Sequence, residues 1–112
     1  MGNSAAVTVF ATFHPKVGHE EDVLAILRGM VADTRAEKGN DRYDLYLSEQ
    51  EGGKVFHLFE RYRDDAALQA HRGTGHFAAY RAAIQDHLEA PIAVAVLADV
   101  DVVQAGMTSG TD

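Results

Sequence analysis

The chain has 112 residues, 46% of them hydrophobic, and its 17 acidic against 10 basic side chains give a formal net charge of −7. That length predicts one domain with a small core, for which self-association adds buried area, and an acidic balance without a segregated basic patch excludes a nucleic-acid or anionic-membrane surface. The lack of cysteine excludes disulfides, thiolate metal sites and thiol redox chemistry.

The start, Met1 to Ala6, shows neither the basic nor the apolar region of a secretory leader, and no apolar run reaches bilayer length, so a cytoplasmic protein is expected. Residues 1–5 are expected to be disordered, 6–103 to form the domain, and the small polar residues of 104–112 to form a flexible tail.

From Ala6 to Phe13, Val7, Val9, Ala11 and Phe13 alternate with Thr8, Phe10 and Thr12, which predicts a first strand whose second face is not fully polar. Pro15 and Gly18 break it, and Glu20, Glu21 and Asp22 suit the first turn of a helix, where negative charge complements the dipole. His14 and His19 fall in this polar loop and are expected to be solvated. Val23, Leu27, Met30, Val31 and Thr34 then repeat at helical spacing, with Gly39 as the expected C-cap. Residues Arg42 to Ser48 alternate, "EQEGG" reads as a turn, and Lys54 to Tyr62 alternates again, predicting a hairpin.

Asp64 is placed to cap a short helix over Asp65–His71, and Thr74 to cap a longer one striped by Phe77, Tyr80, Arg81, Ile84 and Leu88 and stopped by Pro91, with His87 exposed near its end. Ile92 to Val103 is apolar on alternate and intervening positions alike, so both faces of a last strand are expected to be buried. The order β-α-β-β-α-β predicts an α+β, ferredoxin-like sheet with helices on one face. Apolar residues on both sides of the first and last strands imply that a second copy covers the other face, giving a homodimer.

The stretches "GNDRYDLY", residues 39–46, and "FERYRDDAALQAHRGTGHF", residues 59–77, resemble the antibiotic biosynthesis monooxygenase (ABM) domain family, which includes small cofactor-independent quinol and anthrone oxygenases. The matches are Gly39, Asn40, Arg42, Tyr43, Asp44 and Leu45 in the first stretch and Glu60, Asp64, Ala67, Leu68, His71, His76 and Phe77 in the second. Tyr62 stands where many members have tryptophan, and Thr74 where many have serine. The resemblance implies a dimeric α+β barrel with a pocket between sheet and helices in each subunit. A haem-degrading branch uses an asparagine, a tryptophan and a histidine; this chain has no tryptophan, its matching position is His71, and the histidine position is Arg81.

His71 and His76, five residues apart, would lie about 140° out of line on one helix, so they are not an i, i+4 ligand pair, and no carboxylate stands at recognisable spacing; no metal site is expected. Oxidation of a quinol-type substrate without cofactor requires a base and hydrogen bonds to the resulting oxyanion. His71 and His76 are the candidate bases. Arg42, Arg81 or a tyrosine hydroxyl such as that of Tyr62 or Tyr80 would stabilise the charge, and Phe59, Phe77 and Tyr80 would stack on a flat substrate. Glu60, Asp64 and Thr74 are read as structural, Glu60 as a salt-bridge partner or loop cap in preference to a general base. His57 and Arg61, with Val55 and Phe59, are expected to face the dimer partner. The leading expectation is an oxidoreductase using O2 on a small aromatic; the alternatives are a non-catalytic small-molecule-binding or stress-related dimer, and a haem-binding or haem-degrading protein.

Overall fold

A computed structural model describes residues 5–103. Apart from Ala5, which is exposed, the segments expected to be disordered lie outside the described residues. The elements are β1 (Val7–Phe13), α1 (Glu20–Arg35), β2 (Asn40–Gln50), β3 (Gly53–Tyr62), α2 (Asp65–Arg72), α3 (Gly75–Ile84), a 3-10 turn (Gln85–His87) and β4 (Ala93–Ala98). The strands form one antiparallel sheet in the order β2-β3-β1-β4, the ferredoxin-like arrangement.

Strand alternation decides the two faces. Val9, Ala11 and Phe13 of β1, Tyr43 of β2 and Phe56, Leu58, Glu60 and Tyr62 of β3 are buried together with Val23, Leu27 and Met30 of α1 and Tyr80 and Ile84 of α3. Each such apolar side chain contributes about 1.5–3 kcal/mol by leaving water. A smaller cluster joins Val9 and Tyr62 to Leu68 of α2. The hairpin turns at Glu51–Gly52, and Gly53 opens β3 at φ 119°, a backbone conformation that glycine adopts without a Cβ clash.

Three features differ from their sequence reading. First, α1 ends at Arg35 with Ala36 as its C-cap, not at Gly39. Gly39 instead lies where a Cβ would overlap that of Ala67, so it permits close approach of the α1–β2 connection to α2. Second, β4 stops at Ala98, short of Val103. Third, all six β4 residues are exposed rather than buried on both faces. β4 is an edge strand paired only with β1, and Val94 and Val96 remain 49% and 54% exposed.

On the opposite, helix-free face, Phe10, Tyr46 and Leu97 are exposed. His57 and Arg61 lie on this face but are already partnered within the chain. His57 bonds the hydroxyls of Thr12 (3.1 Å) and Ser48 (2.8 Å) and stacks on Phe10. Arg61 donates to Asp99 and, at 2.8 Å, to Thr8 Oγ1.

Candidate active site

Asp64 accepts a hydrogen bond from Ala67 N–H (2.8 Å) at the start of α2, and Thr74 Oγ1 accepts one from Phe77 N–H (3.2 Å) at the start of α3. The Thr74 hydroxyl also donates to His71 C=O (2.8 Å), which closes the turn between the two helices. These caps satisfy backbone groups that a helix end leaves unpaired. They set His71, in the last turn of α2, beside His76, in the first turn of α3.

The two rings are joined by a residue the sequence reading did not single out. Glu37, in the connection between α1 and β2, places its carboxylate 2.9 Å from His71 Nδ1 and 2.6 Å from His76 Nε2. No sequence spacing reveals this carboxylate, because Glu37 is 34 residues from His71 and 39 from His76. His76 therefore bonds the α1–β2 connection. Each of the three side chains offers a ligand atom within 4.8 Å of the others. Their 2.6 and 2.9 Å separations are charge-assisted hydrogen-bond lengths. Donors around a zinc-like ion at 2.0–2.1 Å would stand about 3.3–3.5 Å apart.

His71 is 2% exposed and meets the rings of Tyr43, Tyr62 and Phe77 at centroid distances of 6.0, 5.2 and 5.1 Å. Burial lowers its pKa, and the hydrogen bond to Glu37 works against that shift. The His76 side chain, 23% exposed, is the more accessible of the two.

Below this cluster lies Glu60, 6% exposed. Contrary to the expected salt bridge or cap, it makes no ion pair among the described residues, and its one side-chain hydrogen bond there comes from Tyr62 O–H (2.8 Å). Burial raises its carboxyl to about 7, more than the Tyr62 hydrogen bond offsets. Tyr43, Tyr62 and Tyr80 are likewise raised by burial, so their hydroxyls stay protonated, and that of Tyr62 donates to Glu60. Thr34 Oγ1, also buried, has no hydrogen-bond partner among the described residues.

The structure brings His71, His76, Tyr62, Phe77 and Tyr80 together on the helix side of the sheet. It does not bring Arg42 and Phe59 there. Arg42 is exposed, pairs with Asp44 at 2.7 Å and covers the Phe59 ring at 5.5 Å on the opposite face. Those two residues line a cleft of about 510 Å³ with Arg61, Leu97 and Val102. Arg81 is exposed and packs on the Phe77 ring at 5.7 Å. Between sheet and helices, where the pocket was expected, aromatic rings pack on one another, with Phe77–Tyr80 at 5.6 Å and Phe13–Tyr80 at 6.3 Å. A surface cleft of about 370 Å³ reaches Glu37 and Thr74 from outside.

His14, His19 and His87 are half-buried rather than solvated or exposed. His19 and His87 contact one another, because backbone bonds tie the β1–α1 loop to the 3-10 turn.

Comparison with known proteins agrees with this architecture. Residues 6–83 match the model of the family described as antibiotic biosynthesis monooxygenase. Rv0793 of Mycobacterium tuberculosis is 44% identical over 98 residues, covering 88% of this chain and 95% of its own length. YcnE of Bacillus subtilis is 35% identical over 74 residues, 66% of this chain and 77% of its own. Both carry the name "putative monooxygenase". The solved structure of Rv0793 superposes with a TM-score of 0.83 at 42% identity, over 89% of this chain and all of the other. That of PA3566 from Pseudomonas aeruginosa gives 0.79 at 32% identity, over 90% of this chain and 100% of the other. With the βαββαβ sheet and the histidine-bearing α2–α3 turn in place, the chain belongs to the antibiotic biosynthesis monooxygenase family.

Proposed function

We propose that the protein is a monooxygenase that oxidises a small quinol- or anthrone-type aromatic with O2 and no bound cofactor, working as a homodimer. The observation that carries this reading is the Glu37 carboxylate held between His71 and His76 at the edge of a buried aromatic cluster. Where Glu37 accepts from Nε2–H, Nδ1 is the His76 ring nitrogen left to take a proton. His76 is assigned as the base, because His71 is enclosed. His71 and Glu37 position it.

The reaction needs little else from the protein. Proton removal turns the phenol or enol into an electron-rich anion that reduces O2; one oxygen atom forms a carbonyl on the ring and the other leaves as water, the substrate supplying all the electrons. The protein's part is to hold the anion, for which the Tyr80 hydroxyl and Arg81 are donors, and to stack the ring, for which Phe77 and Tyr80 are suited. Arg42 and Phe59 enter this reading only from the face proposed to meet the partner copy. Exposed Phe10, Leu97, Val94 and Val96 support that contact, since a monomer rarely leaves so continuous an apolar strand and face uncovered.

Oxygen uptake with a panel of quinols and anthrones tests the proposal. His76→Ala is expected to lower kcat/KM by about 10²–10⁴, the usual worth of a general base. Glu37→Gln should lower kcat with a shifted pH profile, and treatment with a chelator should leave the rate unchanged. Uptake indifferent to His71→Ala and His76→Ala would remove both histidines from the mechanism, and a rate abolished by chelation would overturn the cofactor-free reading.

A further inference from the structure

A second cluster lies at the other end of α1, which at 16 residues is roughly 24 Å long. His19, the residue before α1, and His87, the last residue of the 3-10 turn, point their Nδ1 atoms at one another across 3.0 Å, and Asp22 Oδ2 lies 3.7 Å from His87 Nδ1. We infer that His19, Asp22 and His87 bind a divalent transition-metal ion of the zinc class, clipping the start of α1 to the chain that follows α3.

The spacing carries the inference first. Two nitrogen donors and a carboxylate oxygen around zinc, each at 2.0–2.2 Å, stand about 3.3–3.5 Å apart. The observed 3.0 and 3.7 Å bracket that value, and all three atoms lie within 4.8 Å of one another. Metal entry therefore requires the two rings to part by about 0.3–0.5 Å and the Asp22 carboxylate, within 4.8 Å of His19 but not in ion-pair contact with it, to turn toward His19. The Glu37 cluster differs, its carboxylate being drawn to hydrogen-bond distance of both rings.

The backbone holds the ligands in place without the ion. Lys16 N–H donates to His87 C=O, His19 N–H to Lys16 C=O, and Glu89 N–H to His14 C=O, each at 2.9 Å, while Pro15 and Leu88 form an isolated bridge. Both histidines are thus fixed by bonds made outside their own side chains. Charge favours the ion as well: Glu20, Glu21 and Asp22 fill the first turn of α1 and outweigh the positive end of its dipole. The donor set selects the ion. Two imidazoles with one carboxylate suit zinc, cobalt(II) or nickel(II), whereas calcium and magnesium need more oxygens. Asp22 is 62% exposed at its side chain, which leaves room for water to complete the shell.

Equilibrium dialysis of the untagged, chelator-stripped chain against zinc, and the visible absorption of its cobalt(II) form, test the site. One ion per chain is expected, with affinity reduced at least tenfold by His19→Gln and by His87→Gln, reduced less by Asp22→Asn, and unchanged by Glu37→Gln. Ring ¹⁵N signals of His19 and His87 in the unmodified chain should move on adding zinc, a readout that stands even if a variant fails to fold. Unchanged affinity in folded His19→Gln and His87→Gln, loss of the ion on Glu37→Gln, no binding at micromolar zinc, or ring signals of His19 and His87 that do not move would each overturn the inference. A simple hydrogen bond between the two imidazoles would then account for the contact.

Discussion

Replacing Glu60 by glutamine keeps the shape of a side chain that is 6% exposed and keeps an oxygen to accept the Tyr62 hydroxyl, while removing the proton equilibrium. In the folded protein burial raises this carboxyl from its ordinary 4.5 to about 7. The folded state therefore binds the proton more tightly than the unfolded chain. Its contribution to stability is fully present below pH 4.5 and is lost as pH rises through 7. At about 1.4 kcal/mol per pKa unit, the loss between pH 5 and pH 8 is about 2.5 kcal/mol. Glu60→Gln escapes it.

Urea unfolding of both proteins at pH 5, 6, 7 and 8, at one ionic strength and one protein concentration, measures the difference. The two should be similar at pH 5, and the variant should be more stable by about 2–3 kcal/mol at pH 8. His71, whose pKa burial lowers, acts in the opposite sense: held neutral, it costs stability as pH falls below its unfolded value. That slope is common to both proteins and cancels in the comparison. A stability difference that stays flat from pH 5 to pH 8 would refute the claim that Glu60 is buried without a cation.

Further outcomes follow from the packing. Asp64→Ala and Thr74→Ala each remove a helix cap and should lower stability by about 1 kcal/mol, read as a fall in Tm. Gly39→Ala should cost about 1–3 kcal/mol, because the added methyl meets Ala67, and Gly39→Ala combined with Ala67→Gly should recover part of it. Phe10→Asp and Leu97→Asp introduce charge into the exposed apolar face, and sedimentation should show the proposed dimer dissociating without loss of the monomer's circular dichroism.

Much of the fold was legible because it rests on local periodicities. The alternation in Val7–Phe13 and Lys54–Tyr62 divides each strand into two faces, and Asp64 and Thr74 announce helix starts through side-chain chemistry that acts within three residues. The motif around His71 and His76 marked the right turn for the same reason. Glu37 was not legible, since nothing in "RAEKGN" separates it from any solvated charge at a helix end. Gly39 misled for a related reason: a glycine after a helix reads as a C-cap, and only the approach of Ala67 shows its other use.

Sequence alone determined the order of elements, the composition of each face and the N-caps of α2 and α3, because those depend on neighbours within a turn or a strand. Tertiary structure alone decided which polar groups meet. It brought Glu37 between His71 and His76, His87 against His19, and Glu60 under a layer of rings that raises its proton affinity. The histidine contacts span 34 to 68 residues of chain, set by how β1 and β3 pair and how α1 and α3 lie over them. A charge's chemistry depends on the water and partners that packing removes or supplies, and neither is written beside it in the chain.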